Sequence, residues 1–170
     1  MAKLVKENEY GQVELNQVAF RRDGRIIAQY KLATAIPYVE NGMILAVDYA
    51  KKEITYPTKD QATAIALNYT AEHMYDERLA GALKHFRLDN GTFCPRLGIL
   101  SAGDRFTTNT VVTELDLTAI KAGLGTTKYY GHVSTNGYIT VDTTATSALL
   151  QVIEVTTMPD GSDAIKFVVL

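Results

Sequence analysis

Tyr129-Tyr130-Gly131-His132-Val133-Ser134-Thr135-Asn136-Gly137-Tyr138-Ile139-Thr140-Val141 reads as strand, turn and strand. Asn-Gly accepts the positive φ that a tight hairpin turn demands, and strand formers stand on both sides of it. The same grammar returns near the C-terminus, where residues 149–157 and 164–169 flank Met158-Pro159-Asp160-Gly161-Ser162. Two hairpins in the last third of the chain, in a stretch dense in threonine and thin in charge, set the expectation of a β fold.

Working outward, Met43-Ile44-Leu45-Ala46-Val47-Asp48-Tyr49 is apolar at successive positions, the signature of a strand buried on both faces. Asn41-Gly42 makes the turn before it. Lys51-Lys52 makes the turn after it, leading to Glu53-Ile54-Thr55-Tyr56, which Pro57 stops. Asp23-Gly24 suits another tight turn, between residues 18–20 and 26–32. Residues 93–100 read as one strand, with Pro95 implying an edge position or a bulge. Helical signals are few. Thr58 to Gln61 has the form of a capping box. Leu79, Leu83 and Phe86 share one face of a candidate helix over 75–86, which Gly81 weakens by about 1 kcal/mol. Residues 115–122 predict a short helix ended by Gly123 and Gly125. The fold class is therefore mainly β, a β-barrel or β-sandwich-like body with one or two short helices. Neither an internal repeat nor a low-complexity linker divides it, so residues 18–170 read as a single β-rich domain. Residues 1–17 read as an extended N-terminal arm or edge segment.

Composition excludes some functions. With 46% hydrophobic and 21% charged residues, 170 residues suffice for a buried core without metals or disulfides. A formal net charge of -2 argues against a phosphate-driven nucleic-acid binder, and Arg21-Arg22-Asp23-Gly24-Arg25 reads as a solvated turn. Cys94 is the single cysteine, so no intramolecular disulfide forms, which fits synthesis in a reducing compartment or an exterior protein stabilised by other means. The first nine residues lack the apolar core of a signal peptide, and no apolar run approaches the roughly 18 residues of a membrane span. The sequons Asn68-Tyr69-Thr70 and Asn90-Gly91-Thr92 read as chance, in a soluble protein made in a cytoplasm.

The chain carries no recognisable catalytic apparatus. His73, His85 and His132 share no metal-ligand spacing, and Cys94 beside Pro95 in an apolar strand reads as a small core residue. Residues 121–128 resemble a phosphate loop only superficially, because Thr127 precedes Lys128 where that motif needs glycine. Asp160-Gly161-Ser162-Asp163 is too short for a calcium loop, and Asp76-Glu77 point in different directions on a helix. No catalytic residue, metal site or cofactor is expected. The ten tyrosines suit either the edges of a core or a contact surface. In the pair Tyr129-Tyr130, strand alternation turns one ring outward and the other inward.

Several stretches together resemble the head decoration, or auxiliary capsid, proteins of tailed bacteriophages. They are Asn41-Gly42-Met43 with Leu45-Ala46-Val47-Asp48; Pro57-Thr58 with Ala66-Leu67-Asn68-Tyr69-Thr70 and Tyr75-Asp76; Lys84-His85-Phe86; Pro95-Arg96; Ala102-Gly103-Asp104-Arg105-Phe106-Thr107-Thr108-Asn109; and Thr157-Met158-Pro159-Asp160-Gly161. The resemblance implies a structural virion protein that binds the outer surface of a capsid and stabilises it, with the major capsid protein as partner. It involves neither nucleic acid nor membrane, and leaves open whether the chain forms a homo-oligomer. On that expectation the candidate contacts are Lys3, Leu4, Val5, Lys6 and Tyr10 in the N-terminal segment, and the outward ring of Tyr129 or Tyr130. The rival readings are a head fibre or host-surface-binding virion module, and a hydrolase assembled from Cys94 or the histidines.

Overall fold

The structure is a computed structural model that describes residues 1–7, 10–14, 17–19, 26–27, 30–58, 65–70, 86–94 and 96–170. The turn at Asp23-Gly24, most of the capping box, Pro95, and the helix candidate up to residue 85 lie outside the described residues. The chain is mainly β, as its sequence implies. The strands are β1 (Lys3–Leu4), β2 (Ile26–Ile27), β3 (Tyr30–Leu32), β4 (Tyr38–Glu40), β5 (Ile44–Asp48), β6 (Glu53–Thr55), β7 (Ile65–Asn68) and β8 (Arg87–Asp89). They continue with β9 (Phe93–Cys94), β10 (Leu97–Ile99), β11 (Arg105–Thr108), β12 (Val111–Thr113), then helix α1 (Leu117–Gly123), β13 (Tyr130–Val133), β14 (Ile139–Asp142), β15 (Leu150–Thr157) and β16 (Asp163–Val169).

Among the described residues two seven-stranded sheets form, in the orders β1-β12-β14-β13-β15-β16-β11 and β2-β10-β7-β5-β6-β3-β9, beside a β4-β8 ladder. Each sheet curls. In the first, β11 and β12 belong to opposite sides yet are joined only by Asn109 and Thr110. Three peptide units span at most about 11 Å, so the two sides meet there. In the second, β9 and β10 stand on opposite sides and are joined by only two residues, 95 and 96. This corrects the expectation of one strand over 93–100. Cys94 pairs with Tyr30 on β3, and Leu97 with Asn68 on β7, so the chain steps across the closing seam between them.

The turns follow the residues that permit them. Gly137 has φ +83° in the hairpin between β13 and β14, and Gly161 has φ +86° between β15 and β16. Helix α1 begins at Leu117 rather than Leu115 because the Asp116 carboxylate accepts the Thr118 N–H at 2.7 Å and so serves as its N-cap. Its one buried side chain, Ile120, enters the core of the first sheet.

Strand β5 lies between two cores, which explains its unbroken apolar run. Ile44 joins a core with Phe106, Ile139, Leu150 and Phe167 of the first sheet. Leu45 and Val47 face the opposite way, into a core with Leu32, Ile54, Cys94 and Leu97 of the second. The two curled sheets thus share β5 and β7 as a wall: Leu67 faces the first core and Ala66 the second.

Candidate interaction surface beside the N-terminal strand

Residues 3–5, 13–14 and 19 pair antiparallel with the bent segment 105–113. Lys3 pairs with Thr113 and Leu4 with Val112 on one side of the seam, while Val13 bridges Thr108 and Ala19 bridges Arg105 on the other. The N-terminal segment therefore covers the seam at which the first sheet closes. Buried polar groups hold it. Gln12 N–H donates to Asn109 Oδ1 at 2.6 Å, and Thr108 Oγ1 donates to Gln12 O at 2.6 Å. Thr110 Oγ1 donates to Asn41 O at 2.7 Å, and Asn68 Nδ2 to Glu40 O at 2.9 Å. Asn41-Gly42, Asn68, Thr70, Asn109 and Asp160 meet at this junction or border it.

Lys6 and Glu40 form a latch at its centre. Lys6 Nζ lies 2.7 and 2.6 Å from the two Glu40 carboxylate oxygens, with the Glu40 side chain only 1% exposed. Gly11 N–H donates to the same carboxylate at 2.7 Å, and Tyr138 Oη–H at 3.2 Å. Nearby, the Arg87 guanidinium lies 5.2 Å from the centre of the Tyr10 ring and 5.3 Å from that of Tyr38.

The candidate contact residues divide accordingly. Lys3 and Leu4 are exposed, whereas Val5 is buried in the first core and the Lys6 ammonium is held by Glu40. Tyr10 is half-buried against Arg87. Tyr129 packs on the first core, close to Gly123, while Tyr130 stands on the outer face between Asp142 and Gln151. Neither Tyr129 nor Tyr130 lines the cleft beside β1.

A cleft of about 420 Å³ opens between β1 and the segment that leads into α1. Met1, Lys3, Leu4, Val5 and Glu7 of the N-terminal segment line it together with residues 113–118 and Asp163 of β16. Exposed Leu4 and Leu115 face this opening. Sequence reasoning reached Lys3 and Leu4 through the polar, unpatterned N-terminal segment. It missed Glu114, Asp116 and Asp163, whose convergence depends on pairing between distant strands.

The remaining reactive groups are quiet. Burial pushes the Cys94 thiol from its ordinary 9.0 up to about 12, so the thiol is protonated and inert where it sits. His132 Nε2 lies 3.2 Å from Asp142 Oδ1 and 3.0 Å from Thr144 O, in a contact confined to one hairpin. His73 and His85 lie outside the described residues. Among the described residues no group of three or more His, Cys, Asp or Glu is placed to hold a metal ion, and no helix is long and apolar enough to cross a membrane.

Burial, then the nearby Tyr38 and Glu40, also raises Tyr56 to about 12, and burial with Glu40 and Tyr38 raises Tyr138. These groups hold their protons in the folded chain at pH values where the unfolded chain has released them. Their contribution is therefore complete below about pH 9 and is lost as pH rises from 9 toward 12. Denaturation midpoints should fall as pH rises above about 9. At pH 8 a thiol reagent should modify Cys94 only when denaturant opens the core; fast labelling of the folded chain would refute this.

Comparison of the chain with protein-family models, with curated proteins and with solved structures finds no match.

Proposed function

We propose that this protein is a structural component of a phage virion that binds the outer surface of the capsid and cements it. One observation carries the reading. The polar side chains of Asn68, Thr108, Asn109 and Thr110 are buried and hydrogen-bonded to the chain's own backbone or to neighbouring side chains. They form the framework that locks two curled sheets and the N-terminal segment together. A body built in this way offers its partners a rigid surface, and the cleft beside β1 is the concave part of that surface in which the exposed N-terminal residues take part. Binding only to the assembled shell stabilises that shell by mass action, and contacts that bridge neighbouring subunits resist their separation.

The test is co-sedimentation of the purified chain with expanded, empty heads of its source phage, titrated to saturation. Saturation at a simple ratio to the shell subunit, with weaker binding to the unexpanded precursor, is the expected result. Absence of binding to every shell form would overturn the proposal and turn attention to cell surfaces and glycans, the targets of a head fibre or host-binding module.

A further inference from the structure

We infer that the cleft beside β1 is a docking site for an extended, basic segment of a partner protein, which adds to the first sheet along the open side of β1. The decoration reading supplies only the identity of that partner; the site itself rests on the geometry of β1 and the charges around it. Strand β1 is the last in its sheet, and no strand among the described residues pairs with its outer side. Val5 N–H donates to Val111 O at 2.8 Å, so in an antiparallel ladder Leu4, opposite Val112, turns its N–H and C=O away from β12. Those two groups face the open side, where an incoming extended chain would take them.

Beside them the cleft is apolar in part and acidic in excess. Leu4 and Leu115 are 40% and 36% exposed there. Glu7, Glu114, Asp116 and Asp163 line it against a single basic side chain, Lys3. None of these four carboxylates has an ion-pair partner among the described residues. A second cleft, which shares Leu117, Thr118 and Asp163 with the first, sets Lys121 against Glu154 and Asp163, and the Glu154 carboxylate lies 3.7 Å from Lys166 Nζ. The acidic excess is thus greater beside the open strand.

Its sign selects the occupant. Nucleic acid and anionic lipid would be repelled, and a second copy docked through the same face would oppose two acidic clefts. A segment that alternates lysine or arginine with aliphatic residues meets both demands. Its backbone takes the two free groups of Leu4, its aliphatic side chains cover Leu4 and Leu115, and its cations face the acids.

A capped synthetic heptapeptide alternating lysine and valine is the probe, with its glutamate-valine counterpart as control. Both are titrated into the full chain carrying nitrogen-15, and amide shifts are followed. Shifts grouped at Leu4, Leu115 and Thr118, and at least about tenfold weaker binding by the glutamate peptide, are expected. Charge reversal at two exposed positions, Glu7→Lys with Glu114→Lys, should weaken the lysine peptide by about tenfold or more. Leu4→Pro removes the outward N–H while sparing the bonds to β12, and should weaken it as well. Equal binding of the two peptides, or shifts scattered over other surfaces, would overturn the site. Shell co-sedimentation separates the two claims. If heads bind the double charge variant as tightly as the parent chain, the docking site falls and the decoration reading stands. If heads do not bind at all while the lysine peptide still shifts the cleft residues, the docking site stands alone.

Discussion

Replacing Lys6 with methionine should cost the fold about 3–5 kcal/mol, because it leaves the Glu40 carboxylate buried without its counter-charge. That carboxylate lies 2.6 and 2.7 Å from the ammonium, and its remaining donors are the Gly11 N–H and the Tyr138 hydroxyl. Neither neutralises a charge. Against a total stability of about 5–15 kcal/mol the loss is large, and a denaturant midpoint will report it directly. Lys6→Met combined with Glu40→Gln should recover most of it, since the glutamine oxygen still accepts from Gly11 and no charge is left behind. The two changes are therefore strongly non-additive, as expected for groups in contact. A single Lys6→Met variant within about 1 kcal/mol of the parent would show that the latch does not hold the N-terminal segment to the seam.

Gly42→Ala should be comparably damaging, at about 3 kcal/mol or more, through two separable causes. Gly42 has φ +85°, a left-handed backbone that disfavours any Cβ. The added Cβ would also collide with Thr108 Oγ1 and stand 2.6 Å from Thr110 Oγ1 and 3.0 Å from Gln12 O. Those hydroxyls are not free to turn away, because Thr108 Oγ1 donates to Gln12 O and Thr110 Oγ1 donates to Asn41 O. Gly161→Ala is the matched control. Gly161 has φ +86° but nothing within 4 Å of a built Cβ, so it should lose only the backbone component, about 1–2 kcal/mol. Equal losses at the two sites would show that the junction is loosely packed.

What the sequence discloses here is what depends on near neighbours. Asn136-Gly137 and Asp160-Gly161 mark their hairpins because positive φ is a property of one residue. The run Ile44 to Val47 announces burial on two faces, although not that each face belongs to a different core. Helix α1 is legible to within two residues at its start, and the shift comes from Asp116, whose side chain caps better than Leu115 can begin. Closure of the sheets is not legible. The break between Cys94 and Leu97 looks like one strand because every residue in it favours extension, and only its partners, Tyr30 and Asn68, reveal the step across the seam. The candidate site divides in the same way. Lys3 and Leu4 stand out as an unpatterned edge, whereas the Lys6–Glu40 latch joins positions 34 apart, and Asp163 reaches the cleft only through the pairing of β15 with β16.

The covered seam also fixes when the chain can become native. Strands of the second sheet lie between residues 26 and 99, so that half has all its partners early. The first sheet must wait for β16, which pairs with β11 as well as β15. The N-terminal segment makes contacts of similar reach, Lys6 with Tyr138 across 132 positions and Gln12 with Asp160 across 148. Loop closure over such separations precedes any reward from contact, which places this topology among chains that fold in milliseconds to seconds. On a ribosome the N-terminal segment is made before every strand it covers, and it cannot pair until residues 105–113 have followed it.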